Sequence, residues 1–184
     1  MAYSLEERQA LLRIARASVH CAASGEPYAP PRDPSIPSER AAVFVTLRTA
    51  EGHLRGCIGT VEPVEPVAQA VASMARSAAL HDPRFRPVRP DEVAGLVIQI
   101  SVLTPAEPIL GPDDIRVGQD GLIVERPPHR GLLLPQVATE WGWDAHTFLE
   151  QTCVKAGLPI GAWRDPDTRL FRFGAEVFTE GDTG

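Results

Sequence analysis

The stretch of this chain with the clearest potential for chemistry is Leu54-Arg55-Gly56-Cys57-Ile58-Gly59-Thr60. Alternate side chains of a β-strand share a face, so Arg55 and Cys57 are expected on one side, about 7 Å apart. A guanidinium lowers the pKa of a nearby thiol, because it stabilises the nucleophilic thiolate. Cys57 is therefore a candidate nucleophile and Arg55 its candidate activating group. The alternative is a structural role, because cysteine usually packs as a small apolar side chain.

The two glycines of this stretch need a separate explanation, because glycine packs no side chain and costs backbone entropy in a strand. Gly56 and Gly59 would allow a ligand, a partner or a neighbouring strand to approach the backbone closely. Both are therefore candidate binding residues, together with Thr60. A phosphate fits poorly, since neither glycine-rich phosphate-loop pattern is present and Glu62 and Glu65 stand before the next predicted helix.

A second group of polar residues follows that predicted helix. His81 is a candidate base for Cys57, with Asp82 orienting the imidazole, if the helix returns toward the strand. Asp82 and Arg84 are also candidate binding residues in the same loop. The alternative is a helix-terminal histidine favoured by the helix dipole, followed by an ordinary Asp-Pro turn.

Hydrophobic periodicity and turn residues predict the elements that would position these groups. A helix is expected from the Ser4/Glu7 capping box to Gly25, and a proline-rich strap over 25–39. The next predicted elements are strands over 42–49 and 54–60, which form a hairpin, and a helix over 66–79. The later ones are a strand over 95–104, a hairpin over 122–134, a helix over 135–140, a helix from the cap Asp144 to Gly157, and one final strand over 169–178.

This order of elements predicts an α+β fold of antiparallel hairpins with flanking helices, not a parallel doubly wound sheet. The helix over 135–140 carries Gln136, another candidate binding residue. It is followed by Trp141 and Trp143, which could line a groove or close the core.

Composition and charge limit the classes of partner. The chain has 184 residues, 43% of them hydrophobic, and a net charge of −6, which makes a nucleic-acid partner unlikely. It has no apolar run of about 18 residues, so no membrane span is expected. The odd number of distant cysteines, Cys21, Cys57 and Cys153, indicates free thiols and a cytoplasmic location. Without clustered His and Cys ligands, we expect no metal and no cofactor.

The residues also resemble a known family. Residues 54–60 are similar to the LRGCIGT signature of the AMMECR family, also called AmmeMemoRadiSam system protein A. The resemblance covers about residues 4–180 and continues through segments similar to DPRF (82–85), ISVLTPxE (100–107), GLLLPQVA (131–138) and the run from Trp141 to Pro159.

This resemblance implies one domain over residues 1–184, with a larger and a smaller lobe and a cleft between them. It implies a binding or accessory component that acts with a Memo-like protein and a radical SAM protein, and an unknown small molecule as ligand. The iron–sulfur cluster would belong to the radical SAM partner, because this chain lacks a CxxxCxxC motif. The alternative is an enzyme that uses Cys57 as nucleophile on an unknown small substrate.

Overall fold

The computed structural model describes residues 3–32 and 36–181. The helices are α1 (Leu5–Ser24), α2 (Val67–Leu80), α3 (Pro135–Trp141) and α4 (Ala145–Lys155). The strands are β1 (Val43–Thr49), β2 (Leu54–Gly59), β3 (Leu96–Leu103), β4 (Glu107–Ile109), β5 (Gly121–Arg126), β6 (His129–Leu133), β7 (Arg169–Phe173) and β8 (Ala175–Thr179).

The chain divides into two compact units, each with its own sheet and hydrophobic core. The first unit comprises Met1–Leu103 and Glu176–Gly184, and its strand order is β2-β1-β3-β8. The second comprises Thr104–Ala175, and its strand order is β4-β7-β5-β6. Antiparallel pairing joins β1 to β2 and β3, and β7 to β4 and β5, which also pairs with β6. The predicted α+β class with antiparallel sheets is confirmed.

The helices of the first unit begin and end as local sequence signals require. The Ser4 hydroxyl accepts from the Glu7 N–H, and the Glu7 carboxylate accepts from the Ser4 N–H, which is the predicted capping box. Gly25 ends α1 with a φ of 74°, a left-handed conformation that costs glycine little. Pro66 precedes the first residue of α2, where its missing N–H is not needed.

The burial pattern of β1 shows which face of the first sheet is covered by helices. Val43, Val45 and Leu47 are fully buried in the core to which α1 and α2 contribute. The alternation of a strand turns the intervening residues to the opposite face, away from these helices. The faces of β2 follow from this arrangement, because β2 pairs with β1.

The second unit builds its core from β5, β7 and α4. Leu122, Phe148 and Leu149 are fully buried there. The Asp144 carboxylate accepts from the Thr147 N–H at 2.7 Å and so caps α4 as predicted.

The C-terminal segment differs from its prediction. The single strand expected over 169–178 is broken at Gly174 into β7 and β8, which belong to different sheets. Gly174 and Thr104 bind each other there, through Thr104 N–H to Gly174 O at 2.9 Å and Gly174 N–H to Thr104 Oγ1 at 2.7 Å. The alternation therefore changes phase, and Val177 is 50% exposed while Phe178 is buried.

Strands β4 and β6 also differ from the sequence prediction. Strand β4 was not predicted, because Pro108 is atypical of a strand and is tolerated here only at the edge of the second sheet. Strand β6 begins at His129, so the turn of the second hairpin is only Pro127-Pro128.

The proline-rich strap carries no helix or strand in its described parts, 25–32 and 36–39, while its residues 33–35 lie outside the described residues. No helix in the described part of the chain is long and apolar enough to cross a membrane.

Candidate functional site

The predicted site strand, β2, lies at one end of the strand order of the first sheet. Its register with β1 places Thr46 opposite Cys57 and Phe44 opposite Gly59. The register shifts between Leu47 and Arg48, so Arg55 falls in an irregular part of the ladder. An edge strand leaves backbone N–H and C=O groups unpaired on its outer side, and these groups need other partners when they are shielded from water.

Asp82 and Arg84 supply those partners at Cys57. Asp82 Oδ2 accepts from the Cys57 N–H at 2.8 Å, and Arg84 Nη2 donates to the Cys57 carbonyl at 3.4 Å. Asp82 also accepts from the Arg84 backbone N–H and from its Nε and Nη2 at 2.8 to 3.1 Å. This Asp82–Arg84 clamp gives the Cys57 peptide one acceptor and one donor, as a neighbouring strand would.

The two side chains of the clamp differ in their exposure to solvent, and each shifts the pKa of the other. The Asp82 side chain is 2% exposed, whereas that of Arg84 is 55% exposed. Hydrogen bonds from Arg84 and the Cys57 N–H outweigh burial and hold the pKa of Asp82 well below its usual range. The hydrogen bond to Asp82 raises the pKa of Arg84, and the electrostatic interaction with Cys57 raises it further. Asp82 is therefore an anion committed to the clamp and is not available to orient His81.

Arg55 is bound to a different loop. Its Nε and Nη2 donate to the two carboxylate oxygens of Glu92 at 3.1 and 3.2 Å. Its Nη1 donates to the Arg86 carbonyl at 3.0 Å, and Nη2 reaches the Pro87 carbonyl at 3.4 Å. The Arg55 hydrogen bond holds the pKa of Glu92 below its usual range. The positive charge of Arg55 is thus paired with Glu92, and within the described residues none of its hydrogen bonds reaches Cys57.

His81 lies where the sequence predicts, just after α2, and no hydrogen bond joins it to Cys57. Its backbone N–H donates to Ser77 O at 2.8 Å and closes the helix. Its exposed imidazole makes no hydrogen bond or ion pair with the rest of the described chain. The proton-accepting role of His81 stays a prediction.

The Cys57 thiol has a partner that the sequence reasoning missed. Thr46 Oγ1 donates to Cys57 Sγ at 3.2 Å from the neighbouring strand. The register of β1 with β3 places Gln99 beside Thr46, and Gln99 Nε2 donates to Thr179 Oγ1 at 3.2 Å. A polar row thus crosses the sheet on the face away from the helices. The hairpin register could have located Thr46, but the rest of the row requires the order of the remaining strands.

The protein itself fills the space at the two glycines. A Cβ on Gly56 would lie 2.2 Å from the Ala78 carbonyl oxygen of α2. A Cβ on Gly59 would lie 2.2 Å from Cγ and Cδ1 of Phe44. Close packing against a helix and an aromatic ring is therefore sufficient to require both glycines, and a binding role for Gly56 and Gly59 stays a prediction. Thr60 serves the turn, where its Oγ1 accepts from the Glu62 N–H at 3.3 Å.

The remaining candidates lie in the second unit. Gln136 is in the first turn of α3, where its carbonyl accepts from Thr139 Oγ1 at 2.8 Å. Trp141 and Trp143 stack with centroids 6.0 Å apart, and Trp141 is 70% exposed. Across residues 3–32 and 36–181, no three His, Cys, Asp or Glu side chains are grouped so that they could hold a metal.

The fold and the site define an α+β protein whose first sheet has an Asp–Arg clamp on its edge strand. The AMMECR1 family model matches residues 12–178. A protein of Methanothermobacter thermautotrophicus is 51% identical over 185 residues, covering 96% of both chains. One of Thermococcus kodakarensis is 49% identical, covering 82% of this chain and 78% of its own.

A solved structure agrees with this assignment. The crystal structure of an uncharacterised protein from Pyrococcus horikoshii matches with a TM-score of 0.77 and 46% identity. The match covers 93% of this chain and 90% of that one. This chain belongs to the AMMECR1 family.

Proposed function

We propose that this protein is a binding or accessory component that acts with a Memo-like protein and a radical SAM protein. Its binding site is the part of β2 around Cys57. The observation that carries this proposal is the Asp82–Arg84 clamp. It fixes the Cys57 peptide from a buried carboxylate and leaves Arg84 55% exposed, with Nη1 unbound among the described residues. A guanidinium held in place before a ligand arrives loses little entropy on binding.

The groups around Cys57 favour binding over catalysis. A nucleophilic thiol needs a base within hydrogen-bond reach. The carboxylate of Asp82 already accepts hydrogen bonds from the Cys57 N–H and from Arg84, so it is not free to take the proton of the thiol. Thr46 donates to the sulfur and is not a base either. A binding function needs neither a base nor a leaving group, and so it requires nothing beyond the groups present.

Co-purification with the two proposed partners tests this function. Tagged protein should retain the Memo-like and the radical SAM proteins encoded by the same organism. Arg84→Ala should weaken retention, because it removes the exposed guanidinium of the site. Arg86→Ala is the matched control, since Arg86 is also exposed and its side chain has no partner among the described residues. Retention of neither partner by the wild type would contradict the proposal.

The second candidate function is an enzyme in which Cys57 is the nucleophile. Its support is the Thr46 hydroxyl, which donates to Sγ, and the Arg84 guanidinium beside the Cys57 peptide, since both stabilise a thiolate. The rate of Cys57 alkylation by iodoacetamide, followed by peptide mass spectrometry against pH, separates the two functions. A rate that stays high below neutral pH would favour the enzyme, provided that Cys57→Ser also fails to complement a deletion of the gene. Full complementation by Cys57→Ser would exclude the enzyme.

A further inference from the structure

His146, Trp163 and Arg164 form a compact cluster in the second unit, apart from the site around Cys57. His146 lies in the first turn of α4, and the other two lie in the short 3₁₀ turn Ala162–Arg164, which packs against that helix. The guanidinium carbon of Arg164 is 4.1 Å from the centroid of the Trp163 ring, and Arg164 Nη2 is 3.0 Å from His146 Nε2. The imidazole meets the Trp163 ring at nearly a right angle, with centroids 5.6 Å apart.

The contact between His146 and Arg164 fixes the protonation of the imidazole. A guanidinium has only donors and keeps its charge, so His146 Nε2 must be the acceptor and carries no proton. The neutral ring then has its proton on Nδ1, which faces Glu150 Oε1 at 3.7 Å, beyond hydrogen-bond distance. One nitrogen of the His146 ring is thus next to a cation, and the other is next to an anion.

A second proton on His146 would reverse these two interactions. His146 Nε2 and Arg164 Nη2 would then both be donors, so their hydrogen bond would be lost and two positive charges would repel each other. The imidazolium would instead attract the Glu150 carboxylate. Histidine is the side chain that ordinarily changes charge between about pH 5 and 8. Because the His146 side chain is 45% exposed, it can exchange this proton with water directly.

The charges around His146 come from two elements. Among the described residues, those that interact with it are Arg164, Glu150 and Asp144, the cap of α4. The other elements packed against α4 carry charged groups that are bound elsewhere: Arg126 to Asp165, Glu125 to Arg130 and Arg169, and Asp114 to the Leu110 N–H. The exposed Asp113 and His129 form no hydrogen bond or ion pair with His146. The response of this ring to pH is therefore governed by Arg164 on one side and the carboxylates of α4 on the other.

The Trp163 ring is held in place independently of Arg164. It packs against the second core, and its Cζ3 is 3.7 Å from the position of a Cβ on Gly111. Arg164 is exposed, and within the described residues its guanidinium forms no hydrogen bond other than the one to His146. A cation–π contact at an exposed position is weak by itself. Loss of the hydrogen bond to His146 therefore frees the guanidinium and leaves the ring where it is.

We propose that His146 is a pH switch, which holds Arg164 over Trp163 when it is neutral and releases it when it is protonated. Mild acid would thus uncover one face of the Trp163 ring. The switch lies within the second unit and shares no residue with the site around Cys57, so it goes beyond the proposed function and does not depend on it.

NMR spectroscopy of ¹³C,¹⁵N-labelled protein between pH 8 and pH 5 tests this switch. At pH 8 the imidazole nitrogen signals should show the Nδ1–H tautomer of His146, and the Arg164 Hδ protons should be shielded by the ring current of Trp163. This shielding should be lost with the same midpoint as the protonation of His146. His81 is the internal control, because its exposed imidazole has no partner among the described residues. An Nε2–H tautomer of His146, or Arg164 signals that do not follow its protonation, would overturn the proposal.

Three variants separate the contributions. His146→Gln keeps an acceptor for Arg164 but cannot take up a proton, so Arg164 should stay shielded down to pH 5. Glu150→Gln should lower the midpoint of the His146 titration by about 0.2–0.7 pH unit, and Arg164→Ala should raise it by a similar amount, as expected for partly exposed charges. Equal midpoints in these two variants and the wild type would overturn the proposal, as would an Arg164 response that persists in His146→Gln. If His146→Gln fails to fold, the opposite shifts of the other two variants decide.

Discussion

Burial separates the clamp from the Arg89–Asp91 pair of the same loop. Arg89 and Asp91 form a pair at 2.7 Å, but both side chains are about 70% exposed, and such pairs contribute little to stability. The carboxylate of Asp82 is buried, and it also serves the Cys57 N–H, so losing it would leave a shielded backbone donor without an acceptor. The same design recurs in the second unit, where buried Asp120 accepts from the backbone and guanidinium of exposed Arg116.

Asp82→Asn should lower the free energy of unfolding by about 1–3 kcal/mol, because the charge-assisted bonds to Arg84 are lost and the Cys57 N–H is left with a weaker acceptor. Urea unfolding followed by circular dichroism measures this change. Asp91→Asn is the control and should change the free energy by less than about 1 kcal/mol. Similar losses in the two variants would show that burial does not set the importance of the clamp.

The clamp should also make the protein sensitive to acid. The pKa of Asp82 is lower in the folded protein than in the unfolded chain, so the clamp contributes stability that is complete above the unfolded pKa of about 3.9. That contribution is lost as the pH falls below this value, because the unfolded chain then binds a proton that the folded state rejects. Wild-type unfolding free energy, measured from pH 6 down to about pH 3, should fall more steeply than that of Asp82→Asn. Parallel curves would contradict this assignment.

At the scale of strands, both sheets contain an aromatic ring that covers a glycine on the paired strand. Phe44 lies over Gly59 in the first sheet, and Phe173 lies over Gly121 in the second, with Cζ 2.3 Å from the missing Cβ. An aromatic side chain replaces the packing that the glycine lacks and so stabilises the strand pair. The glycines of β2 are therefore explained first as packing residues.

Gly59→Ala should lower the free energy of unfolding by about 1–3 kcal/mol, because the new methyl group overpacks against the Phe44 ring. Differential scanning calorimetry gives the loss as a decrease in melting temperature. Gly95→Ala is the control, since a Cβ there meets nothing within 4 Å and its φ is not in the left-handed range. A Gly59→Ala variant as stable as the wild type would show that the ring shifts aside without cost.

At the scale of the molecule, the chain leaves the first unit after Leu103 and returns to it at Glu176. Two acidic residues, one in β8 and one directly after it, anchor the returning segment. Glu176 accepts from the Tyr3 N–H and pairs with Arg8, whereas Glu180 pairs with Arg16 and accepts from the Ile98 N–H at 2.9 Å. The first unit thus depends on residues from both ends of the sequence.

Phe178→Ala should destabilise the first unit by about 3–5 kcal/mol, because Phe178 is buried in its core. Hydrogen exchange measured by mass spectrometry should show faster exchange in α1 and β3. Val177→Ala should have a much smaller effect, since that side chain is 50% exposed. Faster exchange confined to β5 and α4 would contradict the assignment of Phe178 to the first core.

Elements defined by neighbouring residues were predicted well from the sequence. The capping box of α1, the alternation of β1 and the Asp144 cap of α4 depend on residues within a few positions of each other. The break at Gly174 was not predicted, because an alternating pattern continues through it and only the sheet topology shows that β7 and β8 separate.

The sequence by itself determined the α+β class, the strand that carries Cys57 and the loop that carries Asp82 and Arg84. The tertiary structure decided the partner of each polar group. Arg55 binds Glu92 rather than the thiol, and Asp82 reaches a backbone N–H 25 residues away. The physical reason is that a helix or strand arises from local backbone preferences and periodic burial, whereas the partner of a charged side chain depends on which distant segments the fold brings within about 3 Å.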